Sequence, residues 1–443
     1  MKQRVQPHLK VYRDRSVLVF EDGTEIVFDE GPPTESAKQR LKQIREQLQA
    51  GWLDHLLANL PQAADTIEVE ESIRILIQQI VESITSEIGR AVTGLAILQL
   101  TVKSLVPEQS IRLHKGGRGS FSWKEGIPMR SLDSQFITPF LRKHELLRIN
   151  KYGVFMTRSL AENYPYSQFY KASIRGARDA WLTLVDKVEA GEVNAENALR
   201  YLLALLRNRA EWFTQLSDKA IEMTNQFLAT SSTFDSVFTV IHKHIDSSFY
   251  SARLLEVCMH AFLQVLEDRG LLNGRLLPLC QMRTANKKHR NVADIEIVSI
   301  DDAEMIIEAW DAKYGKPYLL DELNELVDKL QPRSLEIAGF VVEREPDLRP
   351  EILNRISEIS ELTETEVKIL SIRDWVELYL NRLQQQELRD EIAREWMIAY
   401  IESLCQRRRD RAPIDEPADL WVKDWVEILR SETEEEHPYS SSQ

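Results

Sequence analysis

Cysteine is scarce: three in 443 residues, Cys258, Cys280 and Cys405, far apart and in no CxxC pair. That excludes a disulfide-stapled scaffold and a zinc ribbon, and it fits a reducing compartment. Phosphate-cradling glycine loops are absent too. Neither GxxxxGK[ST] nor GxGxxG occurs, so no nucleotide cofactor is expected. Long apolar runs are missing. The longest, Ala91 to Val102, is interrupted by Gly94, Gln99 and Thr101 and is too short and too polar to span a bilayer. The first residues, Met1 to Arg15, are polar and charged, unlike a secretory leader, so a cytoplasmic location is expected. Positive charge is in deficit, with 56 Lys and Arg against 70 Asp and Glu, a formal net charge of -14. The molecule as a whole is no polycation, although a local basic patch can still carry a nucleic-acid contact.

What the chain has is ordinary globular composition, 43% hydrophobic, and length for two or three domains. Residues 10 to 29 suggest a β-hairpin turning at Asp22-Gly23. Helical periodicity follows over 34 to 60, ending at Pro61, and again over 70 to 105, ending before Pro107. From Lys103 to Arg178 there are fourteen basic residues and five acidic ones, a local excess of nine in an acidic chain. Helices resume over 181 to 228, and Ser231-Ser232-Thr233 reads as a linker. Residues 236 to 380 then alternate helices with strands, the signature of an α/β layer. The expected divisions are 1–105, 106–235, 236–385, 386–430 (helical), and a disordered tail at 431–443. No internal repeat is present.

The most informative stretch is Asn291 to Tyr318. ADIEIVSI and EMIIEAW are strand-like, and Asp301-Asp302-Ala303 between them suits a tight turn. Centring the turn on Asp302 and Ala303 pairs Ile300 with Met305, Val298 with Ile307, Glu296 with Ala309, and Asp294 with Asp311. Directly opposed side chains have Cβ atoms roughly 4.5–5.5 Å apart. Lys313, two residues beyond Asp311, shares its face, as does Glu296. Two juxtaposed carboxylates repel unless a cation lies between them. Mg²⁺ prefers oxygen ligands, polarises a phosphate and acidifies bound water. A nearby lysine stabilises developing negative charge. Two acids and a lysine thus make a chemically complete site for phosphodiester hydrolysis.

Asp294…Asp311-Ala312-Lys313 resembles the PD-(D/E)XK nuclease superfamily, in which an acid on one hairpin strand faces a (D/E)xK triplet on the next. The likeness extends over about residues 245 to 380. A helix (YSARLLEVCMHAFLQVLEDRG) precedes a strand at about Leu276 to Arg283 and the hairpin. A helix (LLDELNELVDKL), a strand (LEIAGFVVE), a helix (EILNRISEISEL) and a strand (VKILSI) follow. Ala293 stands where the family name has proline. The resemblance implies an α/β (α+β) restriction-endonuclease-like core, a mixed sheet flanked by helices, with a largely α-helical N-terminal region and a helical C-terminus. It implies a type II restriction enzyme: a Mg²⁺-dependent endonuclease, with Mn²⁺ as a substitute, cutting double-stranded DNA as a homodimer. Asp294, Asp311 and Lys313 would be catalytic. Asp294, Asp311, Glu296 and, from the preceding helix, Glu256 would hold metal. The alternatives are a repair or structure-specific nuclease of the same superfamily and a non-catalytic DNA-binding protein. A second triplet, Glu366-Val367-Lys368, preceded by Pro346-Asp347, is set aside because Glu351 to Glu361 reads as a helix and removes the hairpin relationship.

The basic middle segment is the expected recognition region, with Arg112, Lys115, Arg118, Lys124, Arg130, Lys151, Arg158 and Arg175 as candidate DNA contacts. RLHKGGRGSFSWK combines bases with glycines that permit close backbone approach. Lys and Arg supply salt-dependent phosphate affinity, and Arg can read guanine edges. The interleaved aromatics from Tyr152 to Tyr170 suit a core better than base stacking. His242, His244 and His260 lack metal-ligand spacing. Arg407, Arg408, Arg409 and Arg411 end a helix and could touch DNA backbone. Cys405 lacks the partners of a nucleophile.

Overall fold

The structure is a computed structural model and describes residues 6–117, 121–279, 292–316, 318–331, 335–382, 387–414 and 418–435. Its packing divides into two compact units, Met1–Trp212 and, in the main, Phe213 onward.

The first unit opens with an antiparallel meander, β1 (His8–Val11), β2 (Arg15–Val19) and β3 (Glu25–Asp29). The turn at Asp22-Gly23 is as expected, with Gly23 at φ 83°. The expected first strand is split in two at Arg13-Asp14, so the hairpin gains a strand. The helices are α1 (Glu35–Gln49), α2 (Trp52–Ala58), α3 (Glu71–Glu82), α4 (Glu87–Leu105), α5 (Met129–Leu132), α6 (Thr138–Lys143), α7 (Arg178–Glu189) and the first part of α8 (Ala195–Thr230). The two long expected helices are each broken. Gly51 adopts the left-handed conformation between α1 and α2, and Ser86 caps α4 through the Gly89 amide at 3.0 Å.

The apolar run too short for a membrane is the axis of this unit: every residue of α4 from Gly89 to Val102 is buried. Gly94 allows this, because a Cβ there would lie 2.6 Å from Val154. Buried Gln99 is satisfied by the Trp181 indole N–H at 2.7 Å and the Ile111 carbonyl at 2.9 Å. Residues from before and after position 105 therefore share one core, which joins the two regions expected to be separate.

The second unit contains the rest of α8, then α9 (Phe234–Ser247), α10 (Ser251–Asp268), β4 (Arg275–Leu276), β5 (Ile295–Val298), β6 (Ile306–Lys313), α11 (Leu320–Leu330), β7 (Ile337–Val342), α12 (Pro350–Thr363), β8 (Glu366–Ser371), α13 (Ile372–Leu380), α14 (Glu387–Leu404) and α15 (Ala418–Glu435). The sheet is mixed, in the order β4-β5-β6-β7-β8. Its first three strands are antiparallel and its last three parallel. Parallel neighbours need crossovers, and α11 and α12 supply them. One face, with Ile295, Ile297, Trp310 and Val341, packs with α10, α13, α14 and α15. The other, with Ala309, Ala338, Phe340 and Val342, packs with α11 and α12. The C-terminal helices are thus part of this core rather than a separate division. α15 continues to Glu435, into the segment expected to be disordered. Of the strand expected over about Leu276 to Arg283, β4 holds only Leu276, residues 277–279 are not strand, and 280–283, with Cys280, lie outside the described residues.

Candidate active site

The site is built on the central hairpin. Ile and Val runs make β5 and β6 strands with both faces buried. Glu296 pairs with Ala309 and Ile295 with Trp310, as the sequence predicts. A bulge between Ile297 and Val298 shifts the distal register, so Val298 faces Ile306 rather than the expected Ile307. The shift lies on the turn side and leaves the other end of the hairpin in register. There the Asp294 amide donates to Asp311 Oδ1 at 3.0 Å, and the Ala312 amide donates to Asp294 Oδ2 at 3.2 Å. Each aspartate thus braces the strand of the other, which fixes two carboxylates side by side.

Asp311 is buried, 4% exposed, and two ammonium groups approach its Oδ2: Lys313 at 3.6 Å and Lys329, from α11, at 3.5 Å. Lys313 also meets Glu322 of α11 at 3.2 Å, and Glu322 takes Lys316 at 2.8 Å. Loss of solvent, then the charges of Asp311 and Glu256, push the Asp294 carboxyl well above the usual carboxylate range. Lys313 moves the other way. Burial opposes its charge, but Asp311, Glu322 and Asp294 outweigh it, and its pKa is raised. Lys313 is therefore a firm ammonium at neutral pH. The Phe340 ring, 5.7 Å from its Nζ, lines the same side.

Of the four acids expected to hold metal, Asp294 and Asp311 meet. Glu256 is held by an ion pair with Arg253 one turn away on α10, and it acts on Asp294 through its charge. Glu296 turns back on its own strand, accepting the Val292 and Ala293 amides and shaping the entry to β5. Among the described residues no three His, Cys, Asp or Glu side chains gather as a metal-binding group. The pair still fits a hard divalent cation. It offers carboxylate oxygens in a desolvated place where their mutual repulsion is otherwise relieved by protonation, and Mg²⁺ keeps several waters in such sites. Glu322 and Lys329 were missed in the sequence. They are seven residues apart, hence on one face of α11, but spacing alone does not say which strand that face meets.

The basic candidates separate sharply. Arg112 is 3% exposed, paired with Asp186 and bonded to the Tyr166 carbonyl at 2.8 Å. It is a buried structural cation, not a DNA contact. Lys124 is exposed beside Asp29 at 3.6 Å, and Arg130, Lys151, Arg158 and Arg175 are exposed. Lys115 is half-buried, and Arg118 lies outside the described residues. Phe155, Tyr166 and Tyr170 are core, as expected. At the C-terminal basic run, Arg407 pairs with Asp218, Arg408 with Glu402, and Arg411 with Glu267 and Asp268. His244 is a buried core residue between the Tyr400 hydroxyl and the Trp421 carbonyl, each at 2.9 Å.

No protein-family model matches the chain, and no curated protein matches it in sequence.

Proposed function

We propose that this protein is a divalent-metal-dependent endonuclease acting on double-stranded DNA, with a PD-(D/E)XK-type core in its second unit and the basic surface of its first unit as the place where substrate is recognised. The observation that carries the reading is the reciprocal bracing of Asp294 and Asp311, with Lys313 on the same face. Nothing in the stability of a sheet calls for opposed, desolvated carboxylates, whereas a cation-assisted hydrolysis does. The order of elements from α10 to β8, and a sheet antiparallel on one side and parallel on the other, support the same reading.

Asp294 and Asp311 would hold the cation. When bound, a divalent ion polarises the scissile phosphate and lowers the pKa of its water. The protein's own groups do the rest. Lys313, kept protonated by three acids, stabilises charge that grows on the phosphate oxygens rather than taking a proton from water. Glu322 holds the Lys313 ammonium between itself and Asp311, which positions it without quenching it. Lys329 offsets the charge of Asp311 while no cation is present.

The direct test is incubation of purified protein with supercoiled plasmid in Mg²⁺, followed by mapping of the ends. Discrete cutting that stops in excess EDTA is expected. Undiminished cutting in EDTA, or no cutting of any duplex in Mg²⁺ or Mn²⁺, would sink the reading.

A further inference from the structure

The first unit holds a cavity of about 320 Å³ that the proposed catalytic site does not use. It is lined by His114, Lys115, Gly117, Phe121, Arg130 and Phe155, among others. Four features of it belong together. His114 is 2% exposed; the Ala161 backbone bears on its ring, and among the described residues neither ring nitrogen has a hydrogen-bond partner of ordinary geometry. Buried polar groups rarely go unpaired unless something else supplies the partner. Lys115 and Arg130 bring two positive charges close enough that Arg130, after loss of solvent, lowers the Lys115 pKa. Among the described residues neither has a carboxylate within ion-pair distance. Glu162 acts on Lys115 only through its field, and the Asn163 amide oxygen accepts from its ammonium.

The third feature is aromatic. The Lys115 Nζ is 5.6 Å from the Phe121 ring centre, and the Arg130 guanidinium is 6.0 Å from that of Phe155. Phe155 is core, so Phe121 is the ring that the pocket offers beside its cations. The fourth is backbone. Gly117 has φ 150°, and among the described residues a Cβ there would meet nothing within 4 Å. Its amide is anchored to the Ser122 hydroxyl at 3.1 Å.

We propose that this cavity binds a single nucleotide unit, its base against the Phe121 ring and its phosphate on Lys115 and Arg130. Two cations with no carboxylate at ion-pair distance among the described residues call for an anion, and a ring wall calls for a flat, π-rich body joined to it. Burial pushes the His114 pKa down to about 3, so the ring is neutral at physiological pH and presents one N–H and one lone pair. The volume lies at the small end of ligand sites, roughly 300–1,000 Å³, and admits one nucleotide but no duplex. A strand's nucleotide enters such a site only when turned out of the stack, which costs least where it is already unpaired. The occupant is thus either a free nucleotide or a nucleotide of DNA, and the second source rests on the nuclease reading.

The test uses the full-length Asp311→Ala chain, so that binding is read without cutting. The probes are the four deoxynucleoside 5′-monophosphates, the matching nucleosides, inorganic phosphate, and a 30-base-pair duplex with and without one central unpaired nucleotide. If the occupant is free, a monophosphate binds saturably, at least roughly tenfold better than its nucleoside or phosphate, and the unpaired position gives no advantage. If it comes from DNA, the duplex with the unpaired nucleotide binds at least roughly tenfold better than the perfect one. In either case Lys115→Gln and Arg130→Gln, shown folded by their melting curves, remove the preference. The proposal falls if no monophosphate binds and the two duplexes bind alike. It also falls if phosphate alone binds as well as the monophosphates, or if both variants keep the preference. Plasmid cleavage by the wild-type chain is read separately, so failure of the nuclease assignment and failure of the pocket are distinguishable.

Discussion

Two strands of the same sheet carry the same three-letter pattern and arrive at opposite circumstances. Asp311-Ala312-Lys313 lies in β6, between an antiparallel and a parallel neighbour. Its acid is 4% exposed, faces Asp294 across the hairpin, and draws ammonium groups from its own strand and from α11. Glu366-Val367-Lys368 lies in β8, at the edge. Glu366 is exposed and pairs with its own Lys368 at 3.0 Å, and the residue across from Lys368 is Gly339, which has no side chain. Asp347, which precedes the second triplet, sits in the loop before α12 with Arg349 at 2.7 Å and is no strand partner at all. An acid two residues before a lysine is common. What makes chemistry is a second carboxylate delivered to the same face and held there by backbone hydrogen bonds.

That contrast breaks or stands on paired substitutions. The largest effect belongs to the acids. Asp311→Ala is expected to reduce plasmid cleavage on the order of 10³-fold or more, since it removes a ligand and a charge from the proposed cation site. Glu366→Ala is expected to leave the rate within about twofold, in line with the small worth of exposed ion pairs. Comparable losses in both would erase the distinction. The lysines come next. Lys313→Ala should cost roughly 10²–10³-fold in the cleavage rate at saturating Mg²⁺, and Lys368→Ala almost nothing. A dead Lys368→Ala with normal folding would move the site to β8. Lys329 tests a subtler point. Because it neutralises Asp311 in competition with a cation, Lys329→Ala should lower the Mg²⁺ concentration for half-maximal cutting by about threefold, the factor a partly exposed charge pair is worth. A higher Mg²⁺ requirement would show instead that Lys329 helps to hold the substrate.

Much of the hairpin that carries the candidate site was legible from residues alone, because period-two alternation, a short turn and two Ile-rich runs leave few registers. The bulge at Ile297/Val298 was not, since nothing in IEIV marks which residue will be doubled against its partner. The contribution of α11 was half-legible: its amphipathic pattern places Glu322 and Lys329 on one face, but a helix's docking angle is a tertiary outcome. The basic segment misled most. A count of charges treats Arg112 and Lys124 alike, yet one is sealed against Asp186 in the core and the other faces solvent. Charge can be counted along a chain, whereas burial depends on partners seventy residues away. The same applies to α4, whose glycine and polar residues argue against a membrane span and are the ones that let it be enclosed by protein.

The smallest expected effect is also the most direct reading of the opposed carboxylates. Asp294 holds its proton more tightly in the folded chain than in the unfolded one, where an ordinary aspartate titrates near 3.9. Between those two values the native state binds the extra proton. Stability therefore falls as pH rises through that window and stays reduced above it. Asp294→Asn removes this opposing charge and keeps the shape. In metal-free buffer at pH 7.5 the variant should melt at least about 2 °C higher than wild type, corresponding to roughly 1 kcal/mol for a unit of this size. The gain should shrink steadily as pH is lowered toward 4. Glu366→Gln, on the edge strand, should change nothing across the same range. Mg²⁺ should then raise the wild-type melting temperature by mass action, about 2.7 kcal/mol at a hundredfold excess over its dissociation constant, and leave Asp294→Asn nearly unmoved. A variant that melts lower than wild type at pH 7.5, or one that Mg²⁺ stabilises as strongly, would mean that the two aspartates serve the sheet rather than a cation.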